Sequence, residues 1–155
     1  MGTHEEPNAA NRLTRGGFLT TGLTAAALGL TRRAAAEVSP LERANLELVT
    51  AFCNSFAGRD MTKIASFLAD TCVYRVTETA PPLQGRDAVE RIRTYVVAAE
   101  TIEFKILESW VKGPVVVNER VDAFVSPQRK ISFHLTGVFF VSGGKIAEWT
   151  DYVIR

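Results

Sequence analysis

The sequence predicts an α+β domain in which three helices close one face of a curved, mostly antiparallel sheet. Two observations lead there. Apolar residues recur mainly at helical spacing up to Ala98 and alternate at strand spacing from Ile102 onward. Turn signals then cut the second half at Gly113-Pro114, Ser126-Pro127-Gln128 and Ser142-Gly143-Gly144. Helices followed by strands is the α+β order, and a sheet curled over helices encloses a cone-shaped apolar space, where a site is first sought.

Each element has its own signal. Ser39-Pro40-Leu41-Glu42 reads as a capping box with proline at the first helical position. Leu41, Leu48, Val49, Phe52 and Phe56 continue that helix at helical spacing until Gly58 stops it. Asp60 caps a shorter second helix with Ile64, Phe67 and Leu68 on its apolar face. Cys72 to Thr77 reads as a short strand, and Glu78 to Gly85 as a loop stiffened by Pro81-Pro82. Asp87 to Ala98 forms the third helix, with Val89, Ile92 and Val96 on one side. Ile102 to Ile106 alternates as a strand, and three more strands fill Val115 to Val153.

A length of 155 residues holds one domain with a core of useful size. Residues 1–36 stand apart from it. Arg12 and Arg15 precede an apolar, small-residue run from Gly16 to Leu30, and Ala34-Ala35-Ala36 follows. This is similar to an export signal with a small-residue cleavage site, and Thr14-Arg15-Gly16-Gly17-Phe18-Leu19 resembles a twin-arginine motif with Gly16 in place of the second arginine. The expectation is export to the periplasm or medium, ahead of a domain over residues 37–155. A disordered extension on a cytoplasmic protein is the other reading. The run is too short for a stable membrane anchor. Setting aside the four arginines and two glutamates of residues 1–36 leaves 14 basic and 15 acidic side chains, a balance that argues against a nucleic-acid partner. Cys53 and Cys72 lack any CxxC or Cys/His cluster and read as small core residues, so neither a metal site nor a disulfide is expected. His4 lies in the tail, and His134 faces the outside of its strand.

The chemistry is expected where charge interrupts apolar alternation. Arg120 and Asp122 leave the same face of one strand, beside Asn118 and Phe124. The neighbouring strand offers Phe133, Leu135, Gly137 and Phe139, and Asp151 lies between Trp149 and Val153 on the last one. Two acids and a guanidinium in one apolar cavity neutralise each other in part, and they also form a paired acid and base. Register decides whether they meet. A two-residue hairpin at Pro127-Gln128 sets Asp122 opposite Phe133, but a second one at Gly143-Gly144 would set Asp151 opposite Thr136, on the other face. A shared site needs one extra residue. The expectation is a three-residue hairpin with a G1 bulge at Ser142-Gly143-Gly144, which brings Asp151 opposite Leu135.

Several of these stretches have a familiar order and spacing. Asn118-Glu119-Arg120-Val121-Asp122, Gly137-Val138-Phe139, Gly144-Lys145-Ile146 and Trp149-Thr150-Asp151-Tyr152 resemble the limonene-1,2-epoxide hydrolases. So do Phe67 to Thr71, Tyr74 and Pro81 to Val89, and the likeness covers about residues 45 to 153. The resemblance implies the nuclear transport factor 2-like cone and a one-step hydrolysis of a small apolar epoxide, without cofactor, metal or covalent intermediate. It makes Asp122 the acid, Asp151 the base and Arg120 the bridge between them, with Tyr74 holding the water. The family also uses an asparagine two residues after that tyrosine. Val76 stands there in this sequence, in a segment one residue longer, and Thr77 is the candidate replacement. Phe56, Phe124, Phe133, Leu135, Trp149 and Val153 are expected to wall the substrate pocket. A homodimer through the outer face of the sheet, carrying Val138 and Phe140, is implied as well. Function within this superfold follows the pocket. A ketosteroid-isomerase-like or polyketide-cyclase-like enzyme and a non-catalytic module for apolar ligands are the alternative readings.

Overall fold

The computed structural model describes residues 37–154. The expected export signal lies outside the described residues. Helix α1 (Pro40–Ser55) starts at the capping box: Ser39 Oγ accepts from Glu42 N–H, and the Glu42 carboxylate accepts from Ser39 N–H. A single 3-10 turn, Phe56–Gly58, follows, and Arg59 rather than Gly58 takes the left-handed conformation that ends the segment, at φ 53°. Asp60 then caps α2 (Met61–Ser66) through Thr62 and Lys63 N–H. Helix α3 spans Arg86–Ala98.

Six strands form one sheet: β1 (Leu68–Arg75), β2 (Leu83–Gln84), β3 (Thr101–Lys112), β4 (Val115–Ser126), β5 (Arg129–Ser142) and β6 (Lys145–Val153). Their order is β2-β1-β6-β5-β4-β3, and every pairing is antiparallel except β1 with β6. The sheet is thus mostly antiparallel, as the sequence predicts. Its concave face and the three helices share one core, from Val49, Phe52 and Phe56 through Ile92 and Val96 to Val116, Phe139 and Trp149.

Three expectations need correction. Leu41 is 67% exposed, and α1 instead turns Glu42, Asn45, Val49, Phe52 and Cys53 inward. Glu42 and Asn45 face in because both grip the β3–β4 turn: Glu42 accepts from Gly113 N–H at 2.8 Å, and Asn45 donates to Gly113 C=O at 3.0 Å. The first strand begins at Leu68, not Cys72, and ends at Arg75, not Thr77. Parallel pairing with β6 recruits the chain directly after α2, where Ile146 N–H donates to Phe67 C=O.

The third correction concerns the register that carries the site. Asp122 lies opposite Phe133 as expected. The β5–β6 turn, however, has only two residues, Gly143 and Gly144, at φ 57° and 72°, so Ser142 pairs with Lys145. The extra residue sits one step further on, at Ala147, where Val141 pairs with Ile146 but Phe140 pairs with Glu148. This bulge turns Asp151 to the concave face opposite Gly137, not Leu135. The face agrees with the expectation; the device and the register do not. A second bulge near Leu107 shifts the β3–β4 register in the same way, and such irregularities bend the strands that carry them.

Candidate active site

Register alone brings three charges together. Arg120 and Asp122 point inward from β4, and across β5 the bulged β6 delivers Asp151. Arg120 is fully buried. Its Nε donates to Asp122 Oδ1 at 2.9 Å and its Nη2 to Asp151 Oδ1 at 2.7 Å. The remaining Nη1 donates to Asn118 Oδ1 at 2.8 Å. Phe104, Phe139 and Trp149 surround the guanidinium at 5.3, 5.7 and 5.7 Å from their ring centres, a favourable setting for a buried cation. Gly137 makes room for it, since a Cβ there would lie 2.0 Å from Arg120 Nη1. Here glycine is required by contact and not by backbone conformation.

Asp151 receives a second donor, Trp149 Nε1 at 2.8 Å. Trp149 stacks in turn on Tyr74, with ring centres 4.2 Å apart. Asn118 also donates to Cys53 Sγ at 3.5 Å, so that cysteine supports the polar network from α1.

The two acids differ in their support. Burial pushes the Asp122 carboxyl up to about 7; Arg120 opposes this and the Asp151 charge adds to it. Burial raises Asp151 too, against hydrogen bonds from Arg120 and Trp149. Burial alone would discharge Arg120, but Asp151 and Asp122 outweigh it and keep the guanidinium charged. One cation balances one anion, so the pair retains a proton. Asp151 accepts two bonds from fixed donors and Asp122 one.

A cavity of about 320 Å³ opens beside the acids. Asp122 and Asp151 line it, and neither Oδ2 has a hydrogen bond among the described residues. Phe56, Phe124, Leu135, Trp149 and Val153 form its wall, with Phe133 half-exposed at its edge. Tyr74 and Thr77 line it as well, while the Thr77 hydroxyl lies 3.4 Å from Thr79 Oγ1. Arg120 stays behind the acids and reaches the cavity only through them.

Sequence reasoning missed four contributors. Asn118, Gly137 and Trp149 were placed on the correct face without their roles as acceptor, clearance and donor. Tyr95 was not singled out at all, although it lines the cavity from α3. Its signal was present: Ala88, Ile92, Tyr95 and Ala99 recur at helical spacing, and only Tyr95 carries a hydroxyl.

With this geometry in view, residues 43–154 match the family described as the limonene-1,2-epoxide hydrolase catalytic domain. Epoxide hydrolase EphG of Mycobacterium tuberculosis is 30% identical over 104 residues, spanning 67% of this chain and 69% of that protein. The structure of an M. tuberculosis LEH-like epoxide hydrolase superposes with a TM-score of 0.63 at 27% identity, over 74% of this chain and 86% of that one. A Catenulispora acidiphila protein with a ketosteroid isomerase-like fold superposes with a TM-score of 0.59 at 18% identity, over 68% and 84% of the two chains. The last shows the fold alone. The architecture is the nuclear transport factor 2-like cone.

Proposed function

The chain belongs to the limonene-1,2-epoxide hydrolase family, and on that premise we propose that it adds water to a small, largely apolar epoxide in one step to give a vicinal diol. One observation carries the reading: a single buried guanidinium holds Oδ1 of both Asp122 and Asp151, while both side chains line one apolar cavity. Epoxide opening needs a proton for the departing oxygen and loses one from the attacking water. Asp151, the anion of the pair in this reading, takes a proton from water as the water oxygen bonds to the epoxide carbon. The carbon–oxygen bond on the other side breaks, and that oxygen takes the proton of Asp122. The cavity's aromatic and aliphatic wall selects an apolar substrate.

The turnover leaves Asp151 protonated and Asp122 ionised. Arg120 bonds both, so the total charge of the three groups is the same before and after, and no new buried charge appears. Return of the proton from Asp151 to Asp122 resets the site. Tyr74, packed on Trp149 beside Asp151, faces the water. A homodimer belongs to the same reading, because Trp110, Phe140 and Tyr152 leave 47%, 40% and 44% of their surface exposed on the convex face. Light scattering that returned the monomer mass would remove that part.

Incubation with an apolar epoxide in oxygen-18 water tests the reaction. Wild-type protein should release singly labelled diol, and Asp151→Asn should lower the rate by about 10²- to 10⁴-fold. An isomerised carbonyl product would transfer the site to proton-shuffling chemistry, and a thermal shift with ligand but no product would make it a binding module.

A further inference from the structure

Tyr95 Oη is buried without a hydrogen-bond partner among the described residues, the one such side-chain atom there. A buried hydroxyl left unpaired is destabilising, so its place beside a cavity calls for a bound polar group. The ring is well fixed. The Arg91 guanidinium lies 5.4 Å above it, and Phe124 meets it edge-on at 6.4 Å. Tyr95 lines the same cavity as Tyr74, Asp122 and Asp151.

Resting on the hydrolase reading above, we infer that Tyr95 holds the attacking water jointly with Tyr74 and Asp151. A bound water wants two to four polar partners, and the cavity has few to give. Asp151 Oδ1 is occupied by Arg120 and Trp149, which leaves Oδ2 to receive the proton. Val76 lines the cavity and brings no polar side-chain atom, and Thr77 Oγ1 is near Thr79. The two phenols remain. Burial raises the Tyr95 hydroxyl, Arg91 and Tyr74 nearby oppose it, and no hydrogen bond closes to either of them. A water between them accepts from one phenol and donates to the other, with its second proton directed at Asp151. The oxygen lone pair left over points at the substrate carbon.

Tyr95→Phe in the full chain removes one atom and keeps the ring. The expected result is a kcat about 10- to 100-fold lower with KM for an apolar epoxide unchanged, and a melting temperature close to wild type, because the hydroxyl bonds no other protein group among the described residues. A purely structural role would instead lower the melting temperature and spare kcat, and that outcome overturns the inference. Wild-type kcat in Tyr95→Phe overturns it too, as does a loss of kcat confined to Thr77→Val. Should Tyr95→Phe fold poorly, Tyr95→Leu that folds and keeps kcat would overturn it, and one that folds and loses kcat would support it. Wild-type protein that forms labelled diol from oxygen-18 water keeps these outcomes separate from the hydrolase reading. Wild-type protein that forms none from any apolar epoxide removes both.

Discussion

Glu42 and Asp122 are both carboxylates with little exposed surface, one beside the turn that leads into β4 and one on β4 itself, yet the fold shifts their ionisation in opposite directions. Glu42 closes the gap between the start of α1 and the β3–β4 turn. Backbone N–H groups of Gly113 and Ser39 donate to it and hold its carboxyl down to about 2, with Lys112 a minor aid. Asp122 has no backbone donor, and burial pushes it up to about 7 in spite of Arg120. Both sit close to a cation, Glu42 at 3.7 Å from Lys112 and Asp122 at 2.9 Å from Arg120, so proximity to positive charge does not decide the outcome. The number of fixed donors and the loss of water do. The carboxylate that ties helix to turn is kept ionised, while the one at the wall of the apolar cavity is kept short of donors.

The comparison breaks most sharply at Arg120. Arg120→Ala leaves Asp122 and Asp151 buried without a counter-charge, so both should protonate and diol formation should cease. The loss of folding stability should be about 3–5 kcal/mol by urea denaturation. A loss under about 1 kcal/mol would mean that the three groups are not coupled as their geometry implies.

Asp122 gives the next effect. The rate of diol formation should fall as pH rises through about 7, where the acid loses its proton. Stability follows the same sign. The folded Asp122 binds its proton more tightly than the unfolded one, so its stabilising contribution is complete below the ordinary value of 3.8 and is lost as pH rises through about 7. Asp122→Asn removes that dependence. Its stability relative to wild type should therefore increase between pH 4 and pH 8 while its rate is lower by about 10²- to 10⁴-fold. A constant stability difference across that range would contradict the assignment.

Glu42→Gln should have the smallest effect and the opposite sign. The Glu42 contribution is present above its ordinary value of 4.5 and is lost as pH falls towards about 2. The variant should melt slightly below wild type at neutral pH, converge with it in acid, and keep its kcat. A change in kcat would tie the turn to the site and erase the contrast.

The sequence revealed more of the site than of the strand ends. Arg120, Asp122 and Asp151 were legible because charge on an apolar alternation is rare and has few explanations, and strand parity forced an irregularity between Asp122 and Asp151. It did not fix which strand or which residue absorbs that irregularity. A glycine pair suits a wide turn and a tight one equally, and Ala147 carries no bulge signature. The start of β1 was hidden because Leu68 continues the helical spacing of Ile64, and only the distant partner β6 draws it into the sheet. Leu41 was misplaced for a similar reason, since a capping box turned toward Gly113 outranks an apolar side chain. Tyr95 escaped notice because one aromatic among helical core positions ordinarily means packing.

The bulge at Ala147 makes the protein's tolerance to length changes lopsided. The last strand carries one residue more than regular pairing with β5 consumes. A lineage that lost the Ala147 codon would have a regular ladder with Asp151 still opposite Gly137, and its cost would be a flatter sheet. A lineage that gained a codon between Ala147 and Asp151 would turn Asp151 to the convex side and bring Tyr152 inward, with every residue of the site still present in its gene. Among descendants of this chain, short deletions in that strand should outnumber insertions, and alignments that count only conserved aspartates would overlook the difference.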